Sequence, residues 1–370
     1  MTRCLLALAL TACLSPLEPE VVPKDEWDHK LDERVVDYSA ALRIAALRLT
    51  GELPTLAEIV QVASAEGDAK RAAYEGLVSS YIASPRFARQ MLLFWQDTLK
   101  LGDDPRLDSA AAFVAQLVVE NRPFTEALTA TTDTCPTFDS ITGRFQPAAC
   151  GNTPQTAGLL THPGMQAHFF GNFGFRRVRW VQETFACTKF PAELAQFAID
   201  VGADTPYTGA FPFDSIAGKS NGGRIDFLER SAVLCANCHS NMNHIAPLFA
   251  FYDAAGQWQP EMMVPTPLPD NVPARMGDYL PPGERLAWRF GVPITDMRSL
   301  GTVMAADPAI AQCAIARVWN WAMGKTDIVD GGSRVPLATI EPHVAAFTAN
   351  QHRLRDAIFA VFTGADFVRF

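Results

Sequence analysis

The feature that most constrains this chain is the five-residue run Cys235-Ala236-Asn237-Cys238-His239. Two thiols three residues apart on a helical turn reach the two vinyl-derived positions along one edge of a porphyrin, and the adjacent His projects beneath the ring to bind iron. C-x-x-C-H is therefore the pattern of c-type haem attachment, with Cys235 and Cys238 as thioether positions and His239 as proximal axial ligand. Covalent attachment keeps a cofactor with a protein that works outside the cytoplasm. Other uses of paired cysteines fit less well. Zinc would need further ligands at metal spacing, and no second C-x-x-C exists, although His244 stands nearby. A thioredoxin-like redox pair would need a βαβ setting, and the surrounding pattern is helical or loop. A disulfide between cysteines three apart would be strained.

The other cysteines sort by position. Met1-Thr2-Arg3 is a short positive start and Cys4 to Leu10 is an apolar run, followed by Thr11-Ala12-Cys13. The run is far shorter than the roughly 20 residues a spanning helix needs, so it has the layout of a secretory signal. Leu10-Thr11-Ala12-Cys13 resembles the bacterial lipobox. That resemblance implies cleavage before Cys13 and lipidation of that residue, with Leu14 in place of Asp favouring the outer membrane. The expected localisation is the cell envelope, on the periplasmic face or the surface, with membrane contact only through the lipid anchor. Residues 14–30, rich in Pro and charge, read as a tether. Cys135 and Cys150 lie 15 apart in a segment rich in Thr, Pro, Gly and Asn. In an exported chain they are expected to pair, closing a loop worth about 3 kcal/mol in the chain-entropy description. Cys187 and Cys313 remain, each on an expected apolar helical face, and are a second candidate pair.

The charge balance is 31 Lys and Arg against 40 Asp and Glu, a formal net charge of −9, so no nucleic-acid partner is expected. With 48% apolar residues the chain is not intrinsically disordered. Its length suits two or three domains of about 100–150 residues. From Leu31 to Leu101 the periodicity is helical. Thr55 and Glu58 form a capping-box pattern, and Ser84-Pro85 combines an N-cap with Pro at the first helical position. Phe87, Met91, Phe94 and Trp95 then fall on one helical face. No G-x-S-x-G, P-loop, H-E-x-x-H or dinucleotide fingerprint is present.

Several motifs taken in order resemble the planctomycete-type cytochrome c family, whose flanking modules are domains of unknown function. They are Leu47 to Thr55 (L-x-L-T-G-x-x-P-T), Ser84 to Phe87 (S-P-R-F), Trp95 with Asp97, and Asn121 to Phe124 (N-R-P-F). Ala157 to Met165 and Asn172 to Cys187 resemble the module preceding the haem segment. Pro247, then Phe251 to Gly256, match a P…F-D-x-x-G run, with Tyr252 directly before Asp253 where the family more often has Phe. Asp307-Pro308, Trp319, Trp321, Ala322, Gly324 and Lys325 match a D-P…W-x-x-A-x-G-[KR] pattern. Together they span about residues 35–370. The resemblance implies a mainly α fold, with helical N-terminal and middle modules and a C-terminal helical, cytochrome c-like haem segment. The expected layout is a signal peptide over 1–12, a tether over 13–30 and a helical N-terminal module over 31–129. A disulfide-bearing loop over 130–157, a helical middle module over 158–230 and a haem c-binding C-terminal module over 231–370 complete it.

A sixth iron ligand would come from Met276 or Met297, which sit near turns, or from His162 if the upstream module caps the haem. His244 and Met242 follow His239 too closely to reach the opposite face. Arg176, Arg177 and Arg179 would either pair with haem propionates or form a solvated helix face. The functional expectation is a lipid-anchored envelope cytochrome with one covalent haem c, exchanging single electrons with periplasmic or surface redox proteins. Two alternatives remain open: a haem oxidoreductase with an open distal site, and a binding or scaffold lipoprotein with a structural haem.

Overall fold

Helix punctuation visible in the sequence sets the N-terminal architecture. The computed structural model describes residues 26–102, 104–151, 153–188, 242–264, 272–280, 283–325 and 334–370. After a short helix α1 (Glu26–Asp32), Asp37 caps α2 (Tyr38–Thr50) by accepting from the backbone N–H groups of Ser39 and Ala40. Gly51 ends α2 in the left-handed region (φ 77°), which a Cβ would strain. Thr55 and Glu58 then form both arms of a capping box opening α3 (Leu56–Ala63). The L-T-G-x-x-P-T motif is thus a stop followed by a start. Helix α4 (Gly67–Ile82) leads to Ser84, whose hydroxyl accepts from Phe87 N–H at the start of α5 (Pro85–Thr98). On α5, Phe87, Met91 and Trp95 are buried, as the spacing predicts, and Phe94 is half-buried.

The next segment turns the chain back. Helix α6 (Asp108–Val119) packs along α5 with an almost wholly apolar surface. Asn121 then adopts φ 55°, Arg122 pairs with Glu126, and Phe124 stacks on Trp95 at 5.6 Å between ring centroids. The N-R-P-F element is therefore a sharp turn ended by an aromatic anchor, before α7 (Glu126–Thr129). Strands β1 (Thr137–Asp139) and β2 (Arg144–Gln146) form a small antiparallel hairpin with Phe138 opposite Phe145. Helices α8 (Pro163–His168), α9 (Phe175–Phe185) and α10 (Ala246–Phe249) follow. Two further short antiparallel pairs join β3 (Met263–Val264) to β4 (Val272–Pro273) and β5 (Ala287–Trp288) to β6 (Val292–Pro293), with α11 (Met276–Tyr279) between them. The C-terminal part is helical: α12 (Met297–Ala306), α13 (Pro308–Ala322), α14 (Leu337–Ala349) and α15 (Leu354–Thr363). The described fold is mainly α.

The two ends of the described chain share one core. Val35 and Phe370 exchange backbone hydrogen bonds at 3.0 Å in both directions, and Phe124 N–H reaches His352 O at 2.8 Å. Tyr74 on α4 donates its hydroxyl to Phe362 O at 2.6 Å. Trp321 on α13 lies between Phe94 and Phe362, at 5.3 and 5.4 Å. The last helices thus close the first bundle, and the buried apolar cluster runs from Ala41 to Val368.

No single described helix is long and apolar enough to cross a membrane.

Candidate functional site

Cys235, Cys238, His239 and the anchor position Cys13 lie outside the described residues. The described chain resumes at Met242, three residues past His239, and the segment 249–253 that follows is held by Arg177 on α9. This side chain is 1% exposed, and its hydrogen bonds go to main-chain carbonyls. Its Nε donates to Gln166 O at 2.9 Å. Nη1 donates to Phe249 O and Tyr252 O at 2.7 and 2.9 Å, and Nη2 to Gln166 O and Asp253 O at 2.7 and 2.9 Å. A guanidinium has five N–H groups, so every one is committed to a main-chain carbonyl. Burial lowers the Arg177 pKa to about 10 without neutralising it at ordinary pH. The Phe170 ring lies 5.0 Å from its central carbon.

For Arg177 this arrangement corrects both expectations, whereas Arg176 and Arg179 lie on the exposed face that the solvated reading expects. Arg177 has no N–H left for a propionate, and it is not on a solvated face. Arg176 is exposed, and Arg179 pairs with Glu183 at 2.8 Å one turn along α9. The role of Arg177 is positional: it ties α8, α9 and the segment 249–253 together, ten to fourteen residues past His239.

The F-Y-D-x-x-G run is explained by the same contact region. Asp253 Oδ1 accepts from the backbone N–H groups of Ala255 and Gln257 at 2.9 and 2.8 Å, and Oδ2 from Gln259 Nε2 at 2.8 Å. Gly256 has φ 74°, and a Cβ there would stand 1.9 Å from Pro163 O. The carboxylate shapes a turn and the glycine lets that turn lie against the start of α8. Nearby, His244 Nε2 is 2.8 Å from Glu284 Oε2, both largely buried.

The proposed distal ligands fall in three different settings. Met276 begins α11 and is 41% exposed, whereas Met297 begins α12 and is 3% exposed within the core. His162 is 2% exposed, and burial pushes its pKa down to about 4. Its Nδ1 accepts from Gly164 N–H at 3.1 Å, so Nε2 carries the proton and faces Ser109 Oγ at 3.3 Å.

Both expected cysteine pairs are bonded. Cys135–Cys150 brackets the β1–β2 hairpin, with Cα atoms 5.2 Å apart. Cys187–Cys313 links the end of α9 to α13, with Cα atoms 5.4 Å apart. Cys187 is not on a helical face as expected: it lies beyond α9 in the left-handed region, φ 51°, while Cys313 is on α13. One turn from Cys313, Arg317 donates to Glu183 O and Thr184 O at 2.9 and 3.2 Å. The disulfide pins the end of α9, and the guanidinium caps the carbonyls at its negative end.

The arrangement that the sequence did not foretell is the meeting of the first disulfide with His162. The sulfurs of Cys135 and Cys150 and a ring nitrogen of His162 all lie within 4.8 Å of one another. Thr134 Oγ1 stands 3.3 Å from Cys150 Sγ. Only the fold brings a residue of α8's start to this hairpin, and no spacing rule links positions 135, 150 and 162.

What these observations define is a mainly α protein with two disulfides among its described residues and a sulfur–imidazole cluster that the sequence does not announce. No protein family, no curated protein and no solved structure matches this chain.

Proposed function

We propose that this protein is a lipid-anchored c-type cytochrome of the bacterial envelope, of the planctomycete type, carrying one covalent haem and exchanging single electrons with partner proteins. The observation that carries the reading is the run Cys235 to His239, whose residue types and spacing serve this chemistry. Two disulfides among the described residues support an oxidising compartment, in keeping with the lipobox-like Leu10 to Cys13.

Cys235 and Cys238 would hold the group through thioethers, with His239 as proximal ligand. When bound, haem supplies a one-electron ferric/ferrous couple. Of the distal candidates, Met276 would be the one to ligate, because it is 41% exposed whereas Met297 and His162 are buried in the core. Arg177 would position the chain after the motif by holding Phe249, Tyr252 and Asp253.

Absorption spectra of the purified protein, oxidised and reduced, with and without CO, test the reading. Six-coordinate low-spin iron indifferent to CO is expected. High-spin iron that binds CO would replace electron transfer with small-ligand catalysis, and Met276→Ala should convert the first spectrum into the second.

A further inference from the structure

We infer that the Cys135–Cys150 disulfide, on reduction, becomes with His162 a thiolate–imidazole site for a zinc-like divalent cation. The inference is independent of the haem reading.

Three potential ligand atoms already lie within 4.8 Å of one another. In a tetrahedral zinc site with Zn–S about 2.3 Å and Zn–N about 2.0 Å, ligand atoms stand about 3.5–3.8 Å apart. Once the S–S bond is gone, rotation about the cysteine side chains is enough to separate the sulfurs to that range, because the Cα atoms are 5.2 Å apart. The imidazole is buried and neutral at ordinary pH, which is the ligating form. A neutral ring has one lone pair, so ligation through Nδ1 replaces its contact with Gly164 N–H, and ligation through Nε2 moves the proton to Nδ1 and replaces both that contact and the one with Ser109 Oγ. Thr134 Oγ1, 3.3 Å from Cys150 Sγ, can donate to the resulting thiolate and steady it as a ligand. Cys150 is half-buried while Cys135 and His162 are buried, so the cluster has an approach from solvent on one side.

The chemistry balances with a dithiol as reductant. The external dithiol gives two electrons and two protons to the S–S bond and becomes a disulfide, leaving thiols at Cys135 and Cys150. Zinc then binds with release of both thiol protons, and His162 supplies the third bond from its lone pair. The fourth position is left to water or an incoming ligand. The disulfide and the metal exclude one another, so the site reads out the local thiol–disulfide balance.

The test compares the full chain with its Cys135→Ser, Cys150→Ser variant, oxidised and after reduction, with Zn²⁺ alone as probe. Native mass spectrometry counts bound zinc, and X-ray absorption at the zinc edge identifies the ligands. The wild type should gain one more zinc on reduction than the serine variant, with two sulfurs and at least one nitrogen in its shell. Comparison against the variant cancels thiols elsewhere. His162→Gln should weaken this zinc, and Thr134→Val should weaken it by roughly 10-fold, the scale of a lost hydrogen-bond partner to a metal ligand. Equal counts in wild type and serine variant overturn the inference, as does zinc bound equally by the oxidised protein. Loss of the helical circular dichroism signal on reduction also overturns it, because the site needs the folded scaffold. An unchanged affinity in His162→Gln removes the imidazole from the shell and overturns the site as drawn.

Discussion

Replacing Arg177 with Met is the sharpest perturbation of the region that follows the C-x-x-C-H run. The substitution keeps most of the side-chain length and removes five donors at once. Four carbonyls, those of Gln166, Phe249, Tyr252 and Asp253, lose that partner. Hydrogen bonds to a charged group contribute about 1.5–3 kcal/mol each, and each buried carbonyl left without a donor costs about 1–3 kcal/mol. Against this, the substitution relieves the desolvation that lowers the Arg177 pKa to about 10, worth about 3 kcal/mol. Four carbonyls at about 1–3 kcal/mol each, less about 3 kcal/mol of relieved desolvation, leave a loss of about 1–9 kcal/mol, and partial relaxation puts the expected loss at about 3–5 kcal/mol. Arg177→Lys keeps the charge but at most three donors, and should fall between Arg177→Met and the wild type. Urea unfolding followed by circular dichroism measures the global loss, and hydrogen exchange should show lowered protection of the Phe249 to Gln259 amides. An Arg177→Met variant within about 1 kcal/mol of wild-type stability, well under the about 3–5 kcal/mol expected, would refute the reasoning. So would a large loss that leaves exchange at 249–259 unchanged.

Three further outcomes follow from particular contacts. His162 is buried with a pKa of about 4 against an unfolded value near 6.5, so the unfolded chain binds the extra proton first. Its contribution is fully present above about pH 6.5 and is lost as pH falls toward about 4, by about 3 kcal/mol, and His162→Gln should flatten that part of the stability–pH curve. Cys187–Cys313 closes a separation of 126 residues, so Cys187→Ala with Cys313→Ala should cost up to about 5 kcal/mol, against about 3 for the hairpin disulfide, as read by thermal unfolding. Gly256→Ala would place a methyl group 1.9 Å from Pro163 O in a left-handed backbone, and should destabilise the fold by at least about 2 kcal/mol in urea unfolding.

What the sequence reveals here depends on how local each signal is. Capping residues such as Thr55, Glu58 and Ser84 announce their helices, because their bonds reach only three residues along the chain. The 135–150 pair spans 15 residues within one turn-rich segment, and the 187–313 pair follows from counting the cysteines that remain. Arg177 misleads, because three arginines in four positions look solvated. Nothing within α9 shows that carbonyls from residues 166 and 249–253 converge on one of them. His162 is hidden for the same reason: it joins the hairpin sulfurs only once α8 packs beside it. Long-range convergence of main-chain atoms leaves no periodicity to read.

The central claim is that Cys235, Cys238 and His239 hold a covalent haem. The most direct test is haem-stained denaturing electrophoresis of the full-length protein beside a Cys235→Ala, Cys238→Ala variant, with the intact mass of each. The account predicts a stained band and a mass increment of one haem in the wild type, both absent from the variant. An unstained wild-type band, or a stain that survives loss of both cysteines, would contradict it.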